Sequence, residues 1–232
     1  MASGSFLAID YDSASDDPHL SSRVATEFRR ANVEPRLKQV LALVPEPNAN
    51  GWKDIADDIT NDVVYFSGCG HGSEMAFPAS PLAPVLTPGG YDTAKIRHRI
   101  IHLLACSTAI GLGPDLVSNG KADAFIGYAG LFSFPDPTAS VDGATFANIF
   151  LDCDAQIDYC LTEGGSVSDA IKLTKSYFQH QSDMLLAQNP RVAHCLLVNA
   201  GLLRGPLVDS DDDNEFGKSS ASFASSLQAL SG

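Results

Sequence analysis

The sequence predicts an α/β protein, a three-layer sandwich around a mostly parallel central sheet of about six strands. Three observations predict it. Short apolar runs recur along the chain as "SFLAI", "LKQVLALV", "DVVYFS", "RIIHLLA", "ADAFIGYAG" and "RVAHCLLVNAG". Segments with helix-start signals or helical spacing separate most of them. The middle runs are continuously apolar, as strands covered on both faces should be.

The first strand covers residues 5–9 and ends in acids, and Asp17 and Pro18 then open a helix with Leu20, Val24 and Phe28 at helical spacing. "LKQVLALV" suits a buried strand stopped by Pro45, and "GWKDIADDIT" a brief amphipathic helix. A third strand at 62–67 leads into "GCGHG". Between residues 77 and 90, Pro78, Pro81, Pro84 and Pro88 rule out an ordinary crossover helix and predict a long loop able to hold a hairpin.

"RIIHLLAC" is the fourth strand, followed by a glycine-containing loop and a short helix opened by Pro114. "ADAFIGYAG" is the fifth. Helices are predicted over about 141–161 and 166–187, the second entered through Ser166 and stopped before Pro190, with "RVAHCLLVNAG" as a sixth strand. Residues 1–206 form the predicted domain. Residues 207–232, acidic and then rich in Ser and Ala, predict a mobile tail, with a weak helix over 223–230 as the alternative.

Composition narrows the function. With 44% hydrophobic and 19% charged residues, the 232-residue chain can bury a substantial core. Fifteen Lys and Arg against 28 Asp and Glu give a formal charge of −13, and no basic stripe offers itself to phosphates or anionic lipid. Nucleic-acid and membrane partners are therefore not expected. The first residues hold no basic segment and too short an apolar run for a secretion signal, which predicts a cytoplasmic protein. Five scattered cysteines without a C-x-x-C pair predict reduced thiols and no disulfide framework.

Two strands end in reactive side chains. The strand at 63–67 leads to His71 and Gly72, and the strand at 99–104 leads to Ala105 and Cys106. Parallel neighbours would deliver both to one sheet edge, where chemistry gathers in such folds. A thiol of ordinary pKa is mostly protonated at neutral pH, and an imidazole can accept its proton or stabilise the thiolate. Gly72, lacking a Cβ, lets its backbone N–H approach a substrate, and with the Cys106 N–H it could form an oxyanion hole.

Each residue also has a plainer reading. His71 could be a polar residue in a glycine turn, and Cys106 a buried inert thiol. Cys69, His71 and Cys106 could gather around a metal, but without C-x-x-C spacing Cys69 reads better as a turn residue, and no metal or cofactor is predicted. "GCGHG" lacks the third glycine of a dinucleotide fingerprint, having Ser73 instead. Asp57, Asp58 and Asp62 read as a solvated helix end. His102 and Cys195 lie in apolar runs and read as core or half-buried, His194 as facing outward, and His19, His98 and His180 as exposed. Cys153 and Cys160, seven apart on one helix face, pack and do not pair.

"VVYFSGCGHGSE" followed by "IIHLLACSTAIGLG" resembles the caspase-like cysteine peptidases, and looks most like the CHAT branch, related to separases and bacterial caspase homologues. "GKADAFIGYAGLFSFPDPTASVDGATFANIF" is similar to the segment after the nucleophile in that branch. The resemblance covers residues 62–150. It implies a caspase-like fold and a cysteine endopeptidase, with Cys106 as nucleophile, His71 as general base and acid, and the Gly72 and Cys106 N–H groups as oxyanion hole. A protein substrate, a regulatory protein or assembly partner, and roles in bacterial defence or cell death are implied with it. Leu104 stands where metacaspases carry an acid, so calcium-dependent cleavage of that type is not implied. Asp136 and Asp142, if they lined the pocket, would favour a basic residue before the scissile bond. A catalytically silent module that binds a partner through the same cleft is the alternative.

Overall fold

The computed structural model describes residues 4–9, 20–43, 63–77, 84, 86–136, 142–207 and 215–231. The helix expected at 51–60, the acids Asp57, Asp58 and Asp62, and His19 lie outside them.

In chain order the elements are β1 (Gly4–Ile9), α1 (Leu20–Asn32), α2 (Glu34–Val40), β2 (Leu41–Leu43), β3 (Val63–Cys69), α3 (Thr93–Ile96), β4 (Ile100–Leu104), α4 (Leu112–Ser118), β5 (Ala124–Tyr128), α5 (Gly143–Thr162), α6 (Val167–Leu185), α7 (Pro190–Leu202), β6 (Leu203–Arg204) and α8 (Phe223–Ser231). The sheet runs β2-β1-β3-β4-β5-β6. All pairs are parallel except β5–β6. Its body is four parallel strands, β1, β3, β4 and β5, edged by the three-residue β2 and the two-residue β6. Among the described residues the expected sheet of about six strands is thus four full strands with two short edge segments.

The central strands alternate between two cores. Ile100 and Leu104 pack with Ala25, Leu37, Leu151 and Ile171 from α1, α2, α5 and α6. Ile101, Leu103 and Phe125 pack with Ile96, Leu112 and Leu116 from α3 and α4. Residues one apart on a strand face opposite layers, so continuously apolar runs are what a covered sheet requires.

Three expectations change. The first half of "LKQVLALV" is helix: Pro35 opens α2, Leu37 is its buried residue, and the strand is confined to Leu41–Leu43. "RVAHCLLVNAG" is helix α7, not a sixth strand. Its buried Val192, Ala193, Leu196 and Asn199 repeat at helical spacing, and the Asn189 side chain caps the Val192 N–H at 3.2 Å with Pro190 in the first turn. The sixth sheet position falls to the two antiparallel residues that follow.

The third change concerns the tail, where the alternative expectation of a helix over 223–230 is met by α8 (Phe223–Ser231). Residues 215–231 fold back onto the domain. Phe216 is buried and stacks on Phe125 with centroids 6.4 Å apart, and Phe223 lies 5.0 Å from the Tyr65 ring. The Lys218 ammonium meets Asp123 at 2.6 Å, and the buried Ser226 hydroxyl donates to the other Asp123 oxygen at 3.2 Å. The few large apolar residues of this segment are thus spent on the core, which is why its polar composition misleads. Asp123 immediately precedes β5, so these polar contacts grip the amino end of that strand.

At the ends of the proline-rich stretch Phe77 and Leu86 form an antiparallel bridge, exchanging both backbone hydrogen bonds at 2.9 and 2.7 Å. Phe216→Ala should cost about 3–5 kcal/mol of stability, read from urea unfolding, since it empties a fully packed position. A shift under about 1 kcal/mol would mean the segment is not part of the fold.

Candidate functional site

The pairing of β3 with β4 sets the site. Cys69 lies opposite Leu104, and the Gly70 N–H extends the ladder to the Leu104 carbonyl at 3.2 Å. Each strand then runs two residues further, to His71 and to Cys106. Neighbouring parallel strands are about 4.8 Å apart, and both side chains line one cleft of about 260 Å³.

Gly72 packs against the nucleophile candidate's own backbone. A Cβ here would run into the Cys106 carbonyl and lie 2.9 Å from the Cys106 nitrogen, so the close approach needs glycine. Among the described residues, neither the Gly72 nor the Cys106 amide donates to another backbone carbonyl. Ser107 follows in the left-handed region (φ 59°), its N–H bonded to the Gly130 carbonyl at 2.9 Å. Such a conformation costs about 1–3 kcal/mol and persists only where neighbours enforce it.

Burial pushes the Cys106 thiol above its ordinary pKa, and backbone hydrogen bonding at Phe132 and at Cys106 itself opposes the shift only in part. Its Sγ lies 3.9 Å from the Phe132 carbonyl, a long contact.

Most of the remaining residues around the cleft are apolar in type, Ala25, Leu104, Ala105, Phe132 and Phe134, with Gly70 and Ser133 and exposed backbone supplying polar surface. The wall is held from behind by Asn199 of α7, a fully buried amide that donates to the Ser133 carbonyl at 2.8 Å and accepts from the Ser133 N–H at 3.2 Å. Asp136 and Asp142 are both exposed, and neither lines the cleft. Cys69 is buried, its sulfur 3.3 Å from the Thr26 hydroxyl of α1. Phe132, Phe134 and Asn199 went unrecognised in the sequence as site residues, although "LFSF" directly after β5 alternates aromatic and polar residues.

Behind the cleft lies a buried ionic cluster. Arg29 of α1 bridges two α5 carboxylates, reaching Asp154 at 3.3 Å and Asp158 at 3.1 Å, and also donates to the Ser67 hydroxyl of β3. His102 of β4, fully buried, contacts Asp154 at 3.2 Å through Nε2 and Asp158 at 3.5 Å through Nδ1. Tyr65 donates to Asp158 at 2.7 Å and Tyr128 to Asp154 at 2.8 Å. His102, Asp154 and Asp158 bring their ligand atoms within 4.8 Å of one another, as metal ligands do, but the Arg29 guanidinium already supplies these carboxylates with a cation. The signal in the sequence is Asp154 and Asp158, four apart on an apolar helix.

Burial alone would push His102 down, yet Asp154 and Asp158 raise it to about 9. Burial would likewise push Asp158 up, but Arg29 and His102 hold it well below the usual carboxylate range.

Among solved structures, the chain is similar to the crystal structure of the Arg-specific cysteine proteinase gingipain R (RGPB), at 12% identity and a TM-score of 0.48. The match covers 87% of this chain and 48% of that one, so the chain spans about half the proteinase's length. No protein-family model and no curated protein matches the sequence. The chemistry of the cleft rests on its own geometry. No helix among the described residues is long and apolar enough to cross a membrane.

Two outcomes follow from the charges. A histidine raised in the fold stabilises fully below its unfolded value of 6.5 and loses that contribution as pH climbs through about 9. Asp158, depressed in the fold, contributes above its unfolded value of 3.8 and loses its contribution as pH falls below it. Urea unfolding between pH 6 and 9.5 should therefore show a loss of about 3 kcal/mol that His102→Gln removes; an equal slope in the variant would refute the assignment. The rate of Cys106 alkylation by iodoacetamide should reach half its plateau at a higher pH than that of an exposed cysteinyl peptide, with a lower midpoint refuting the raised thiol.

Proposed function

We propose that this protein is a cysteine endopeptidase working through Cys106 and His71. The observation that carries the reading is the delivery of a thiol and an imidazole, by equivalent steps off two paired parallel strands, into one cleft. The resemblance of "FSGCGHGSE" and "IIHLLACSTA" to the caspase-like peptidases, and to their CHAT branch within them, supports the same assignment.

In this mechanism His71 takes the Cys106 proton and Sγ bonds to the scissile carbonyl carbon, forming a tetrahedral oxyanion. The Gly72 and Cys106 N–H groups receive that oxyanion, each donor worth about 3 kcal/mol in comparable sites. Collapse breaks the C–N bond, and the amine leaves with the proton from His71. Water, deprotonated by His71, then attacks the thioester, releasing the carboxylate product and restoring the thiol. No redox partner or cofactor enters the balance.

The half-buried Cys106 thiol, raised above its ordinary pKa by burial, favours a protein that is quiet until substrate or a partner reorganises the cleft. A regulated effector protease in the cytoplasm, answering to a regulatory protein or an assembly partner, fits that state. Roles in bacterial defence or cell death come with the family resemblance. The thiol's state also suits a silent module that binds a partner through the same cleft, and turnover separates the two.

Peptide turnover should vanish in Cys106→Ala and fall about 10²-fold or more in His71→Ala. An acyl electrophile should modify Cys106 in preference to the other four cysteines, with His71→Ala suppressing the modification. Equal modification of all five, without turnover under any condition, would favour the silent module.

A further inference from the structure

We propose that the cleft beside Cys106 receives an apolar side chain, aromatic or large aliphatic, from the residue whose carbonyl Cys106 attacks. This rests on the peptidase reading above and names its substrate class.

Five of the lining residues, Ala25, Leu104, Ala105, Phe132 and Phe134, are apolar. Among the described residues, the only titratable side chains at the cleft are His71 and Cys106 themselves. Among the described residues of the wall, a basic side chain entering here would shed water without finding a carboxylate, since Asp136 and Asp142 lie outside it, and an acidic one would find no arginine or lysine. An aliphatic or aromatic side chain loses nothing polar and gains contact with two rings.

Size and stiffness agree. At about 260 Å³ the cleft is smaller than the roughly 300–1,000 Å³ of sites for drug-sized ligands, which suits one large side chain. Phe132 and Phe134 meet edge-on with centroids 6.1 Å apart, and Phe132 rests 4.7 Å from the Tyr128 ring of β5. Ser133 between them is clamped through both backbone groups by Asn199. The two rings are thus presented by a fastened segment, as specificity walls need to be. Phe132 and Phe134 act as specificity determinants, and Asn199 as the residue that positions them.

The test uses the full chain and four peptidyl acyl electrophiles identical except at the residue next to the reactive carbonyl, which is Phe, Leu, Arg or Asp. The rate of Cys106 modification is followed by mass spectrometry. The Phe or Leu probe should react at least tenfold faster than the Arg and Asp probes, and Phe134→Asp should raise the Arg-to-Phe ratio at least tenfold. The wild-type ranking stands as a test even if that variant fails to fold. His71-dependent modification led by the Arg or Asp probe would overturn the apolar assignment while leaving the peptidase reading intact. Equal, slow modification by all four probes, unchanged in His71→Ala, would overturn the peptidase reading itself.

Discussion

The structure depends on a charge arrangement that the hydrophobic effect alone would not produce. Arg29, His102, Asp154 and Asp158 sit together without solvent, two cations against two carboxylates, with the Tyr65, Tyr128 and Ser67 hydroxyls around them. A buried ion pair is a weak source of net stability, because desolvation consumes most of the Coulombic gain. Its value lies in what it forbids. Removing any one member strands an uncompensated charge, so α1, α5, β3, β4 and β5 are bound to one mutual arrangement. Dispersion and apolar burial fill the space between them without being so selective.

The cleft inherits that arrangement. β3 contributes Tyr65 and Ser67 to the cluster and β4 contributes His102, and a few residues later each strand leads to a candidate reactive group at the sheet edge. β5 contributes Tyr128 to the cluster and then the turn that brings Phe132 and Phe134 over Cys106. Asn199 ties that turn to α7, the helix that follows α6. At the other end of the sheet the carboxy-terminal segment grips Asp123 just before β5. The strand leading to the aromatic wall is therefore held at both ends.

How much of this was legible in the sequence follows from which signals are local. The central strands could be read because burial on both faces removes alternation and leaves runs such as "VVYF" and "IIHLL". His71 and Cys106 could be singled out because glycines and a strand end surround them. Helix α7 was not legible from apolarity, since "RVAHCLLVNAG" is rich enough for a buried strand; the Asn189–Pro190 cap was the deciding signal, and it is a single pair of residues. The carboxy-terminal segment misled for the opposite reason, its few aromatics being enough to dock it. The pairing of Arg29 with Asp154 and Asp158 spans more than a hundred residues, and no local pattern reports a contact of that range.

The pairing of Ser67 with His102 has a consequence for fidelity of assembly. In a sheet, shifting one strand by a single residue turns all of its side chains to the opposite layer. A slipped β4 would withdraw His102 from the carboxylates and put Ile101 or Leu103 among them, an exchange the apolar layers would tolerate and the charges would not. The ionic cluster therefore proofreads the alignment of the two strands, and a chain that folds past this check has brought the thiol level with the imidazole.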